Sequence, residues 1–251
     1  MIDLSGEKYL ITGSTSGIGM EVAQLLNSLG AFTVICGRNE EKLNELKENL
    51  TKPDYAEVFV LNLADSFSAK SFLKLSVDKS GLYTGMVHCA GMDITKPYKL
   101  LKQKDFDLLN RLNITAPFQL AKELVNKSIF SQKGGSIVWT SSVMGSLGQK
   151  GKIAYSSSKA SVEGLVKSFA LELAPKKIRV NSIAPGIVKT PLTIDLFEKI
   201  SSEAVQEIEN MHPLGFGEVE DIAYLVAFLV SNKSKWITGT THFIDGGYHI
   251  Q

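Results

Sequence analysis

From one end of the chain to the other, short apolar runs alternate with longer stretches whose apolar positions recur every three or four residues. The runs at 8–12, 32–36, 57–61, 85–88, 136–140, 179–183 and 242–244 predict strands. The helical spacing predicts helices over 17–29, 40–50, 66–79, 105–130, 155–174 and 219–230. Strands that are apolar along their length and separated by helices are buried on both faces. The pattern therefore predicts an α/β fold, a parallel sheet with helices on both sides. No linker, repeat or low-complexity stretch breaks it, so residues 1–251 are expected to form a single domain. The longest segment between strands, 184–241, mixes polar and apolar residues that can fold over a cleft. In an open parallel sheet, ligands bind beyond the carboxyl ends of the strands.

Composition narrows the picture by exclusion. Hydrophobic residues make up 44% and charged residues 21%, an ordinary globular balance. A formal net charge of +1 leaves no global field to recruit nucleic acid or an anionic membrane. The longest apolar run, 222–230, is too short to span a bilayer. The first residues lead straight into a strand and leave no room for a signal peptide. Cys36 and Cys89 sit inside apolar runs and read as reduced thiols, so a cytoplasmic protein is expected. Cys and His show no metal-ligand spacing, and no metal is expected.

Two stretches carry candidate chemistry. The first is Tyr155-Ser-Ser-Ser-Lys159, with Ser142 thirteen residues upstream of the tyrosine. Positions four apart share a helix face, which sets a phenol beside an ammonium. A free tyrosine titrates near pH ~10, and a nearby cation favours its phenolate. Such a pair can pass a proton to or from an alcohol or carbonyl oxygen, with a serine hydroxyl holding that oxygen. The spacing alone is common: Tyr98-Lys-Leu-Leu-Lys102 repeats it, with the hydroxyl-free Gly85 thirteen residues before.

The second stretch is Thr12-Gly13-Ser14-Thr15-Ser16-Gly17-Ile18-Gly19, between the first strand and the first helix. Glycines there let the backbone turn tightly and approach a pyrophosphate at the helix N-terminus, where free N–H groups and the helix dipole favour anions. At the end of the second strand stands Gly37-Arg38, with no acidic residue to take the ribose hydroxyls. Gly37 leaves space and Arg38 offers a 2′-phosphate a bidentate fork, which favours NADP(H) over NAD(H).

In this order the residues resemble the short-chain dehydrogenase/reductase family in its single-domain form, over essentially the whole chain. The resemblance is carried by Thr12-Gly13-x-x-x-Gly17-x-Gly19, Ala90-Gly91, Asn113, Ser142, Tyr155-x-x-x-Lys159, Asn181-Ser-Ile-Ala-Pro185-Gly186 with Thr190, and Asp245-Gly246-Gly247. It implies a Rossmann-like, doubly wound parallel sheet of seven strands. Catalysis would use Asn113, Ser142, Tyr155 and Lys159. Tyr155 would be the acid/base and Ser142 would orient the substrate oxygen. Lys159 would bind the nicotinamide ribose and lower the tyrosine pKa, and Asn113 would support a water-linked proton path to Lys159. The implied cofactor contacts are Gly13, Ser14, Thr15, Ser16, Gly17, Ile18, Gly19, Arg38, Asn62, Leu63, Ala90, Gly91, Tyr155, Lys159, Pro185, Gly186, Ile187, Val188 and Thr190. Ile187 and Thr190 match positions that usually meet the carboxamide.

The chain departs from the family pattern in three places. His88-Cys89 stands where the family usually has two asparagines; His88 reads as a packed strand residue, and Cys89 lacks the support an asparagine lends. Asn62 replaces the usual aspartate but keeps a carbonyl for an adenine amino group. The turn from Pro213 to Gly217 lacks a common arginine. The nearest profile is that of the 3-oxoacyl-acyl-carrier-protein reductases, which implies hydride transfer between NADP(H) and a ketone or secondary alcohol. Lys133 and Lys176 fall at their basic carrier-docking positions. Alternatives are a family member acting on another carbonyl or alcohol, such as a sugar, polyol, steroid or small ketone, and a non-enzymatic dinucleotide-binding module. A sugar-nucleotide epimerase is disfavoured by the lack of a long C-terminal substrate domain.

A substrate lid is expected around 187–215, where Leu192, Ile194, Leu196, Phe197 and Ile200 suit a substrate with apolar parts. The resemblance also implies a homotetramer. The helix over 155–174, with Ile153, Val162, Leu165, Val166, Phe169, Ala170 and Leu173, has more apolar surface than one stripe requires. The last strand and the tail 248–251 would make the other contact.

Overall fold

The computed structural model describes residues 1–65 and 68–250. The expected start of the third helix at Ser66 and the end of the tail at Gln251 lie outside them. Seven parallel strands form one sheet: β1 (Lys8–Thr12), β2 (Phe32–Gly37), β3 (Ala56–Val60), β4 (Gly85–His88), β5 (Gly135–Thr140), β6 (Ile178–Pro185) and β7 (Thr241–Ile244). Their order is β3-β2-β1-β4-β5-β6-β7. Around the sheet lie α1 (Gly17–Ser28), α2 (Glu40–Glu48), α3 (Ala69–Ser80), α4 (Gln103–Asn110), α5 (Ala116–Leu124), α6 (Ile153–Leu173), α7 (Pro191–Phe197), α8 (Ser202–Asn210) and α9 (Val219–Val230).

Strand alternation divides the apolar residues between two cores. Tyr9 and Ile11 of β1, Val87 of β4 and Val138 of β5 pack with Val22 and Leu26 of α1 and Ile222, Val226 and Leu229 of α9. Their neighbours Leu10, Met86, Ile137 and Trp139 face Leu73 of α3, Leu120 of α5 and Val162 and Val166 of α6. Each such side chain withdrawn from water stabilises the fold by about 1.5–3 kcal/mol, which is why continuous apolar strands are tolerated only inside a three-layer arrangement. Strand order reverses between β1 and β4, and the register brings Thr12 level with Cys36 on one side and His88 on the other. The ends of these strands open the crevice in which a doubly wound sheet binds ligands.

Every expected strand is present, with ends displaced by at most two residues. The expected helix over 105–130 is not one helix. It begins at Gln103, is interrupted by a π-type turn over Arg111–Thr115, and resumes as α5 to Leu124. Ala116 donates to the Arg111 carbonyl five residues back, and Pro117, which has no N–H, cannot continue the ladder from Asn113. In α6 the buried stripe is Ala154, Ser158, Lys159, Val162, Val166, Ala170 and Leu173; Leu165 and Phe169 are half-buried, while Ile153 and Leu171 are exposed.

Candidate active site

A cleft of about 450 Å³ runs along the carboxyl ends of the strands. Its nucleotide end is built from backbone. Gly13 and Gly17 adopt φ of 71° and 54°, which L side chains rarely take. A Cβ on Gly13 would stand 2.7 Å from the Ala90 nitrogen, and one on Gly19 only 2.3 Å from the Gly13 carbonyl oxygen. The turn therefore folds tightly on itself and against β4's exit. Behind it, α1 starts at Gly17 with no side-chain cap from Ser16 and no acidic residue in its first turn. Free N–H groups and a positive dipole end thus face the cleft, which fits a dinucleotide's pyrophosphate. Thr15, Ser16, Gly17, Ile18 and Gly19 line the cleft. Ser14 does not: it is fully buried, and its hydroxyl donates to the Ile11 carbonyl at 2.7 Å.

At the end of β2, Arg38 is exposed and lines the cleft. Gly37, expected to leave space there, leaves none on its Cβ side, because a Cβ would stand 2.6 Å from the Thr15 methyl. Thr15 occupies that room. Asn62 and Leu63 line the same end. The Asn62 amide is held by its own turn, its oxygen accepting from the Ala64 N–H at 3.1 Å and its nitrogen donating to Asp65 at 2.8 Å.

The other end of the cleft is built from side chains. Ser142 follows β5 and accepts at its hydroxyl from the Met144 N–H at 3.2 Å. Tyr155 and Lys159 project from the first two turns of α6, and the Lys159 ammonium is 5.6 Å from the centroid of the tyrosine ring. Removal from solvent pushes the Tyr155 phenol up to about 12; a hydrogen bond with Ser142 pulls the other way, and the Asp93 carboxylate adds to the rise. Burial pulls Lys159 down to about 8, opposed by Cys89 and Asp93. The expected lowering of the tyrosine by Lys159 is not among these causes: the ammonium is itself desolvated and donates to the Thr140 carbonyl at 2.8 Å. A protonated phenol is the form that can give a proton to an oxygen.

Asn113 lies in the π-type turn, buried. Its amide accepts from the Met92 N–H at 3.1 Å and donates to the Met92 carbonyl at 3.1 Å and to Ser158 at 2.9 Å. It pins the chain just past Gly91, where a Cβ would stand 3.0 Å from the Asn113 oxygen and 3.6 Å from the Lys159 ammonium. Ala90, Gly91, Pro185, Gly186, Val188 and Thr190 line the cleft. Ile187 turns elsewhere: its N–H donates to His212 Nε2 at 3.2 Å, and its carbonyl accepts from Gly217 at 3.0 Å. His88 is a buried strand residue, 2.9 Å from the Thr12 hydroxyl at Nδ1 and held neutral by burial, down to about 3. The repeated spacing Tyr98/Lys102 brings nothing together, since Tyr98 is in a separate short turn, exposed, and Lys102 precedes α4.

Sequence reasoning passed over Asp93, Lys152, Thr140 and His212. Asp93 lines the cleft and pairs with Lys152. The signal that bore on them was position, just past Ala90-Gly91 and three residues before Tyr155.

Comparison with known proteins agrees over the full length. A family model described as enoyl-(acyl carrier protein) reductase matches residues 13–249. A 3-oxoacyl-acyl-carrier-protein reductase of Rickettsia prowazekii is 40% identical over 248 residues, covering 98% of both chains. That of Thermotoga maritima is 38% identical over 249 residues, covering 98% of this chain and 99% of its own. A solved short-chain type dehydrogenase/reductase from Mycobacterium ulcerans superimposes with a TM-score of 0.90 at 29% identity, covering 100% of this chain and 92% of its own.

Proposed function

The chain belongs to the short-chain dehydrogenase/reductase family and is an oxidoreductase that uses a nicotinamide cofactor; we propose that it reduces the keto group of a 3-oxoacyl thioester on an acyl carrier protein, with NADPH preferred. The observation that carries this reading is the convergence of Ser142, Tyr155 and Lys159 at one end of a cleft whose other end is an uncapped helix N-terminus beside Arg38. A nicotinamide bound there supplies the hydride. Ser142 holds the carbonyl oxygen, and Tyr155 donates its proton to that oxygen as negative charge develops. Lys159 binds the ribose and balances the phenolate left behind, while Asn113 fixes the Gly91–Met92 chain alongside. Gly13 and Thr15 to Gly19 would receive the pyrophosphate, Arg38 would pair with the 2′-phosphate, Asn62 and Leu63 would meet the adenine, and Val188 and Thr190 would hold the carboxamide. Support for the keto group over an alkene is the hydroxyl pair Ser142/Tyr155, which suits a polar oxygen.

The segment 187–215 acts as a lid in this reading, with exposed Leu192 on the cleft wall meeting the acyl chain. A homotetramer is part of it too, since Phe118 of α5 and Ile153 and Leu171 of α6 remain exposed and apolar. A cytoplasmic setting suits the free thiols Cys36 and Cys89. Among the described residues no helix is long and apolar enough to cross a membrane.

One observation favours a second reading, reduction of a small free ketone. Lys133 and Lys176 precede β5 and β6, at the amino ends of these strands opposite the cleft, about 20 Å away along the six-residue β5. NADPH consumption with a carrier-bound 3-oxoacyl thioester, the same thioester free of carrier, and a panel of ketones, sugars and polyols separates the two. Carrier-bound turnover well above the free thioester, lowered by Lys133→Glu with Lys176→Glu, supports carrier docking. Equal turnover with and without the carrier overturns it.

A further inference from the structure

Beside Tyr155 lies an ion pair to which the roles above give no part: the Lys152 ammonium with the Asp93 carboxylate. Its side chains are only 15% and 29% exposed. Two more contacts tie the same segments together. The Lys96 N–H donates to the Gly151 carbonyl at 2.9 Å, and a Cβ on Gly151, at φ 83°, would stand 3.1 Å from the Thr95 methyl. The loop leaving β4 is thereby strapped to the loop entering α6. Lys152 immediately precedes α6, and Tyr155 follows in its first turn. The Lys152 ammonium is 5.6 Å from the Tyr155 ring centroid, the same separation as Lys159.

We propose that Asp93 and Lys152 are positioning residues for the reduction, fixing the first turn of α6 and tuning by their charges how readily Tyr155 gives up its proton. This rests on the assignment of Tyr155 as the proton donor. The charged groups facing the phenol are Asp93 from the loop after β4 and Lys152 and Lys159 from α6; Ser142 meets it from the loop after β5. Lys159 in turn faces the Cys89 thiol and Asp93. The Asp93 carboxylate opposes formation of a phenolate; the Lys152 ammonium, paired with it, carries the charge that would offset this.

The test is the pH profile of kcat/KM for a 3-oxoacyl thioester in Asp93→Asn, Lys152→Met, the double variant and Tyr155→Phe, with NADPH binding measured in each as the check on folding. Removing the anion moves the basic limb to lower pH, and removing the cation moves it to higher pH. For a charge about 6 Å from the ring, as the Lys152 ammonium is, the shift is roughly half to two pH units. The double variant returns towards the native limb. Retained turnover in Tyr155→Phe overturns the Tyr155 assignment and the proposal with it. Loss there, with unmoved limbs in Asp93→Asn and Lys152→Met that still bind NADPH, overturns the proposal alone.

Discussion

The two ends of the cleft are made of different material. The nucleotide end is backbone: Gly13 and Gly19 press so closely against Ala90 and one another that any added carbon collides, and Gly17, at φ 54°, sits tight against the Thr190 side chain. The substrate end is side chain: Ser142, Tyr155, Lys159 and Asp93 arrive from three separate segments and work through their terminal atoms. The first should therefore fail when atoms are added, the second when atoms are removed. Pre-organised backbone suits an invariant anion, whereas proton transfer needs groups whose charge can change.

The largest effect is expected at the substrate end. Tyr155→Phe deletes one oxygen and should lower kcat by ~10²–10⁴-fold while NADPH titration shows native affinity. Tyr98→Phe should leave kcat unchanged, because Tyr98 is 68% exposed and away from the cleft. Equal losses at the two positions would erase the distinction.

Gly19→Ala is the converse. Its new carbon would stand 2.3 Å from the Gly13 carbonyl and 3.1 Å from Cys89 Cβ, so backbone must move. An overpacking cost of about 1–3 kcal/mol corresponds to roughly 5–150-fold weaker NADPH binding by calorimetry. Native affinity in this variant would show that the turn is not the rigid cradle described.

Arg38 is the exception that sharpens the contrast, a side chain acting at the backbone end. Arg38→Leu should weaken NADPH by roughly 10–100-fold and NADH little, as for loss of a charged hydrogen-bonding partner. Gly37→Asp is a poorer probe, since its Cβ would first have to displace the Thr15 methyl.

The smallest effect belongs to neither end. At the amino end of β1, away from the cleft, the buried Lys8 ammonium contacts Ser76, Ser80 and the Gly81 carbonyl, and burial holds it at about 8 against an ordinary 10.5. Between those values the unfolded chain binds more protons, so this group makes stability rise with pH. The Cys36 and Cys89 thiols, held above their ordinary range by burial, pull the other way from about pH 8.5, and the buried phenols of Tyr9 and Tyr83 from about pH 10. From pH 8 to about 10 the thermal midpoint of the cofactor-free protein should therefore rise relative to that of Lys8→Met by a few degrees. An identical climb in both proteins would place the effect elsewhere, with Lys159 the first suspect.

Local pattern carried the fold a long way. The run 85–88 is β4 to the residue, because burial on both faces leaves a composition that no register shift hides, and the half-buried edge run 57–61 is β3 displaced by one. Periodicity over 105–130 was real but could not register that Pro117 breaks the ladder and seats Asn113 in a wider turn. At the site, Tyr155 and Lys159 were legible because a helix turn brings them together whatever the rest of the chain does. The glycine turn was legible because tight backbone approach admits one residue type. Ser14 was not: its hydroxyl turns inward to Ile11.

By itself, then, the sequence determined the strands, their parallel stacking and the meeting of Tyr155 with Lys159 across one helix turn, since those depend on forces acting over a few residues. Only the tertiary structure decided which distant groups meet. Lys152 reaches Asp93 across 59 positions, Lys159 spends a hydrogen bond on Thr140, Thr15 fills the space beside Gly37, and His212 takes the Ile187 N–H. Each of these follows from how packed helices and strands dock against one another, and the resulting burial is what drives Tyr155 up and Lys159 down.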